Sequence, residues 1–206
     1  MFNKDEIPVL AILRGIGHKD IEPLAGILRD TGMKYVEITL NTDGAPDLIA
    51  SMKQAGGKDM VVGAGTVIDL KGMDEALNAG AEFIVSPSVK EELVKTCVKN
   101  QIPVFPGAFT PTEVHLAWDL GATMVKLFPS GLIGPGYIAA LKGPFDRIRI
   151  MAVGGVNEQN ILRYFNHGAD AVAVGAGVFR PNWLDEGKYD MISQKINQLL
   201  NSMKSD

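Results

Sequence analysis

The chain has 206 residues, enough for one domain with a substantial core and at the short end for a barrel of eight strand–helix units. Hydrophobic residues make up 46% and charged residues 21%, an ordinary globular mix, and a net charge of −4 advertises no basic face for nucleic acid. Cys97 is the single cysteine, which excludes an intrachain disulfide and any CxxC motif. No apolar run approaches the roughly 20 residues of a membrane span, and charges stand early in the chain where a leader would need apolar residues. A cytoplasmic location with neither membrane nor nucleic-acid partners is expected.

In chain order, a short apolar run Val9–Leu13 predicts a strand, and the amphipathic stretch Lys19–Thr31 predicts a helix. Strands are predicted again at Tyr35–Leu40, Met60–Ala64, Glu82–Ser86, Ile102–Phe105, Thr123–Phe128, Ile148–Val153 and Asp170–Val174. Between them, Lys71–Ala79, Lys90–Lys99 and Glu158–His167 read as helices, and the polar residues after Leu200 read as a fraying helix end. Several units share one habit, a helix ending in Gly just before a strand: Gly32, Gly80, Gly121 and Gly168, each fitting a left-handed C-cap. Eight strands alternating with helices, at about 25 residues per unit, imply right-handed βαβ connections and a single-domain (β/α)8 TIM barrel over residues 1–206. A doubly wound open sheet is the alternative, disfavoured by eight units without a long linker.

Alternation along barrel strands sends successive side chains to the lumen and to the helix layer. In Tyr35–Leu40, Val36, Ile38 and Leu40 share one side, so Glu37 points into the barrel; in Met124–Phe128, Lys126 does the same between Val125 and Leu127. Arg14 ends the first strand opposite Leu13, and Thr66 closes the third. A cation, a carboxylate, a hydroxyl and an amine thus gather at the C-terminal strand ends, where barrel enzymes keep their chemistry. Taken singly, each has a duller reading: a snorkelling lysine, an ion-pair partner, a turn hydroxyl, a surface salt bridge.

The combination suits imine chemistry. A lysine desolvated in an apolar strand is held neutral and attacks a ketone, while Glu37 moves protons and Arg14 and Thr66 hold a neighbouring carboxylate. Strand seven runs into Gly154-Gly155-Val156-Asn157 ahead of a helix, and strand eight into Gly175-Ala176-Gly177. Glycine-rich loops after these strands, with a helix N-terminus nearby, predict a phosphate site. No GxGxxG or GxxxxGK[ST] motif supports nucleotide binding. His18, His115 and His167 lack metal-ligand spacing, so no metal and no cofactor is expected; His167 reads as serving a helix end, and Cys97, Trp118 and Trp183 as packing.

Taken together, Ala11–Ile16, Val36–Asn41, Gly63–Val67, Ile84–Pro87, Pro106-Gly107, Val125–Pro129 and Val153–Val156 resemble the 2-keto-3-deoxy-6-phosphogluconate/2-keto-3-deoxy-6-phosphogalactonate aldolases over nearly the whole chain. The resemblance implies a metal-free class I aldolase, a homotrimer of barrels, that yields pyruvate and glyceraldehyde 3-phosphate from a phosphorylated keto-deoxy sugar acid. It makes Lys126 the Schiff-base lysine and Glu37 the general acid/base. Thr66, Pro87 and Phe128 then line the pyruvate end, and Gly154, Gly155, Gly175, Ala176 and Gly177 take the phosphate. Asn41 stands where the gluconate branch tends to carry Arg, and Ala176-Gly177 lacks that branch's usual Ser, leaving backbone donors. These departures, with Leu13-Arg14-Gly15 and Phe128-Pro129-Ser130, favour the galactonate type over the gluconate type. A phosphosugar epimerase or isomerase would share the phosphate loops without needing the buried lysine, as would a noncatalytic phosphosugar-binding barrel.

Overall fold

The computed structural model describes residues 6–203. The opening charges Lys4 and Asp5, and the last three residues of the polar tail, lie outside them; the tail is helical as far as Ser202. Nine parallel strands form one sheet: β1 (Val9–Leu13), β2 (Tyr35–Thr39), β3 (Val61–Gly65), β4 (Ile84–Val85), β5 (Val104–Phe105), β6 (Gly107–Ala108), β7 (Val125–Leu127), β8 (Ile150–Val153) and β9 (Ala171–Val174). Their order is β5-β4-β3-β2-β1-β9-β8-β7-β6, so the sheet begins and ends on two segments separated only by Pro106. Those segments are one barrel stave. Val104 and Phe105 pair with β4, Gly107 and Ala108 pair with β7, and Pro106 accepts the Lys126 N–H at 3.0 Å while lacking an N–H of its own. The barrel of eight staves is therefore closed, and the expected eight strands appear with the fifth interrupted and extended to Ala108.

Strand alternation divides the core into two shells. Val9, Ala11, Leu13, Val36, Ile38, Val125, Leu127 and their neighbours pack against the helices in the larger one. Leu10, Tyr35, Phe83, Val85, Phe105, Met124, Met151 and Val153 fill the lumen, with Phe83 and Phe105 meeting edge to face at 5.7 Å. The four cap glycines all adopt positive φ, between 76° at Gly32 and 96° at Gly80, as their place after a helix demands. Among the outer helices, α1 (His18–Thr31) and α9 (Tyr189–Ser202) are tied together by the Tyr189 hydroxyl, which donates to buried Asp20 at 2.7 Å. Cys97 is buried in α4 (Glu91–Lys99), and Trp118 and Trp183 pack on the outer core, as packing residues should. His167 Nδ1 lies 2.7 Å from the Arg163 carbonyl at the end of α7 (Ile161–Asn166).

Candidate active site

Because β1, β2, β3 and β7 run parallel around one ring, the side chains at their C-terminal ends converge. Glu37 faces inward from the middle of β2 and is 1% exposed; Lys126 faces inward from β7 and is 7% exposed. Neither is in a direct ion pair with the other, and Glu37 Oε2 is buried without a hydrogen-bond partner. Burial pushes the Glu37 carboxyl up from 4.5 to about 7, with the positive charges of Lys126 and then Arg14 pulling it back. Burial pulls the Lys126 amine below its ordinary value, opposed by Glu37 and reinforced by Arg14. Burial thus drives both groups toward neutrality. Lys126 Nζ lies 5.2 Å from the centre of the Phe128 ring, within range of its π face.

Arg14 leaves β1 exposed at the rim and donates from Nη2 to the Thr66 hydroxyl at 3.3 Å. Thr66 sits at φ 58°, a left-handed conformation that a β-branched residue adopts only at a cost of about 1–3 kcal/mol. Sequence patterning does not reveal that strain, nor the buried pair of hydroxyls that fixes the Arg14 turn: Thr42 Oγ1 accepts the Gly15 N–H at 3.0 Å and bonds Thr39 Oγ1 at 3.1 Å. Pro87 is exposed beyond β4, its carbonyl oxygen only 2.3 Å from where a Cβ on Gly107 would be, and Gly107 is the register partner of Lys126.

A cleft of about 400 Å³ opens beside this cluster. Arg14, Phe128, Gly154, Gly155, Gly175, Ala176 and Gly177 all line it, which brings most of the expected anion-binding residues onto one wall. Glu37, Lys126, Thr66 and Pro87 are not on that wall; Lys126 meets it at the Phe128 ring and Thr66 through its hydrogen bond from Arg14. Ile12, Val153, Ala173 and Phe179 add an apolar surface that the strand pattern alone did not single out, and Asn157 adds a polar one. Gly154 (φ 88°) and Gly155 (φ 81°) need glycine, and a Cβ on Gly155 would fall 2.9 Å from Gly131 Cα in the loop after β7. Asn157 and Asn160 hold that turn through their amide donors to the Gly155 carbonyl at 3.3 and 2.9 Å. Among the described residues, the N–H groups of Gly155, Ala176 and Gly177 donate no hydrogen bond, so they remain open to an anion.

One expectation needs correction. The helix after the Gly154-Gly155 turn begins at Ile161 and not at Glu158, because the Asn157–Asn160 turn intervenes; the loop N–H groups, not a helix N-terminus, face the anion end. Asn41 is exposed and does not line the cleft, whereas Arg14 does. Among the described residues no group of three or more His, Cys, Asp or Glu gathers at metal-ligand spacing, and no helix is long and apolar enough to cross a membrane.

The KDPG and KHG aldolase family model matches residues 3–195. The 2-dehydro-3-deoxy-6-phosphogalactonate aldolase of Escherichia coli (strain K12) is 35% identical over 85% of this chain and 86% of its own. The 2-dehydro-3-deoxy-phosphogluconate aldolase of Treponema pallidum (strain Nichols) is 30% identical over 94% of this chain and 91% of its own. A solved structure described as native KDPGal superposes with a TM-score of 0.91 at 30% identity, covering 99% of this chain and 98% of that one.

Proposed function

From the premise that this chain belongs to the KDPG and KHG aldolase family, we propose that it is a class I aldolase. It cleaves 2-keto-3-deoxy-6-phosphogalactonate to pyruvate and D-glyceraldehyde 3-phosphate through an imine on Lys126. The observation that carries this reading is the buried pair itself: an amine held toward its neutral form near a carboxyl raised to about 7.

Neutral Lys126 attacks the C2 ketone, and the carbinolamine loses water as Glu37 supplies the proton to the departing hydroxyl. The protonated imine then withdraws the C3–C4 bonding electrons while the Glu37 carboxylate takes the C4 hydroxyl proton and so regains the proton it gave up. Glyceraldehyde 3-phosphate leaves and an enamine remains on Lys126. Protonation of that enamine at C3 by Glu37, followed by hydrolysis, frees pyruvate and the lysine. Arg14 and Thr66 hold the substrate carboxylate, and Pro87 and Phe128 enclose the pyruvate end. The phosphate lies on the N–H groups of the Gly154-Gly155 turn and the Gly175-Ala176-Gly177 loop, all donors that suit an anion.

The galacto epimer is favoured by the name of the 35%-identical relative. Discrimination at C4 is assigned to the region of Asn41, which stands where the gluconate branch tends to carry Arg. The treponemal relative keeps the gluco epimer as the second reading. The 206 residues act as one aldolase domain in the cytoplasm. The unit assembles as a homotrimer, which the exposed Ile68, Phe109, Leu132 and Ile133 on loops at the site's end of the barrel support. Light scattering of the purified protein measures that mass directly.

Borohydride reduction in the presence of pyruvate, read by mass spectrometry, tests the chemistry. A stable adduct is expected on Lys126 and is expected to vanish in Lys126→Ala; undiminished labelling of that variant would assign the chemistry to another lysine.

A further inference from the structure

Glycine inside a strand costs stability, about 0.5–1 kcal/mol relative to alanine, and marks places where something approaches the backbone closely. Gly65 is such a residue. It ends β3, pairs with Thr39, accepts the Leu40 N–H at 2.8 Å through its carbonyl and is buried. Its φ is not positive, so the backbone does not call for glycine. The space above its Cα is occupied instead. A Cβ at position 65 would stand 2.2 Å from Glu37 Oε1 and 2.7 Å from Glu37 Cδ, against 3.4 Å or more for ordinary contact. The other inward glycine of the same strand, Gly63, is filled by a different neighbour, the Phe83 ring at 2.4 Å. One strand thus carries two vacant Cβ sites with two tenants, an apolar ring deep in the lumen and a carboxyl at its mouth.

We propose that Gly65 is a positioning residue for Glu37: its missing side chain is the seat in which the carboxyl lies, and the seat sets both its aim at Lys126 and its shielding from water. The inference rests on the acid/base reading of Glu37. The charged groups felt by that carboxyl are Lys126 from β7 and Arg14 from the end of β1. Filling the seat forces the carboxyl at least roughly 1 Å outward, and a displacement of that size in a reacting group costs on the order of 10²-fold in rate. The displaced carboxyl is also better solvated, which lowers its pKa.

The test is a double-mutant cycle of Gly65→Ala with Glu37→Asp, following kcat, KM, the pH profile of kcat and thermal unfolding. With Glu37 present, Gly65→Ala is expected to lower kcat about 10²-fold at nearly constant KM and to move the ionisation near pH 7 toward the ordinary carboxylate range. An aspartate stops one methylene short of the seat, so in that background the same substitution is expected to cost less than about threefold. Equal losses in both backgrounds, or an unmoved pH profile, would overturn the proposal. If Gly65→Ala alone does not fold, recovery of folding in Gly65→Ala/Glu37→Asp supports the seat, and continued failure overturns it. Glu37→Gln separates the two levels. Near-full turnover in that variant removes the acid/base reading and the seat with it. Abolished turnover alongside an unaffected Gly65→Ala removes only the seat.

Discussion

Replacing Glu37 with Gln removes a titrating proton from a buried site while keeping the side chain's shape, so its effect on stability is expected to depend on pH. A carboxyl whose folded pKa is about 7 and whose unfolded pKa is 4.5 favours folding fully below the lower value and loses that contribution as pH rises through the upper one. The cost to the folded state is about 1 kcal/mol at about pH 5.5, where only the unfolded chain has shed the proton, and about 3 kcal/mol at about pH 8.5, where both have. Gln escapes that rise of about 2 kcal/mol. Lys126 works in the same direction: without the Glu37 charge that supports it, the amine titrates lower, and the penalty of burying it charged is relieved sooner as pH rises. Urea unfolding of wild type and Glu37→Gln at the two pH values reads the effect, with the variant gaining about 2 kcal/mol or more on wild type from the lower to the higher pH. A difference between the two proteins that stays constant with pH would refute the claim that burial controls this carboxyl. Turnover is expected to fall about 10²–10⁴-fold in the same variant at every pH.

Activity is expected to survive EDTA, since no cluster of donor side chains gathers among the described residues; loss with EDTA and rescue by a divalent ion would overturn the class I reading. Ala176→Asp places a carboxylate on the cleft wall beside open N–H groups, and is expected to raise KM at least about 10-fold for the phosphorylated substrate while pyruvate trapping on Lys126 persists. Gly63→Ala drives a methyl into the buried Phe83 ring and is expected to destabilise by about 1–3 kcal/mol in urea; a neutral result would mean that the ring has room to move. For the two C4 epimers measured on one preparation, kcat/KM is expected to favour the galacto form, and a clear excess for the gluco form would reverse the assignment.

What the sequence made legible was whatever alternation governs. Apolar neighbours on both sides of Glu37 and Lys126 placed them in the lumen, and both are buried there with Val36, Ile38, Val125 and Leu127 in the outer shell. The loop glycines after β8 and β9 were readable because their position in the chain alone assigns them to the mouth. What escaped depends on contacts through space. Pro106 splits a stave because its two sides pair with different strands, which a run ending at Phe105 does not disclose. The link between Thr42 and Gly15 joins two loops, and the claim of Glu37 on Gly65 joins two strands; neither leaves a local pattern. A Thr-x-x-Glu capping box at Thr110–Glu113 was legible in principle, with Glu113 Oε2 accepting both the Phe109 and Thr110 N–H groups, and it accounts for that glutamate structurally.

The ring order has a consequence for how the protein is made. Every strand pairing but one joins segments that are neighbours in the chain; the exception is β1 with β9, where Val9 meets Val172. During synthesis β1 therefore waits for β9 before one of its edges is covered. Until then β1 and β8 present unpaired N–H and C=O groups, the form most open to pairing with another chain. A polypeptide ending before Ala171 keeps both edges permanently, with Glu37 and Lys126 still in the sheet but in a lumen that water can enter. Closure of the ring and desolvation of the Lys126 amine are thus coupled, because the burial that lowers its pKa needs the final stave in place.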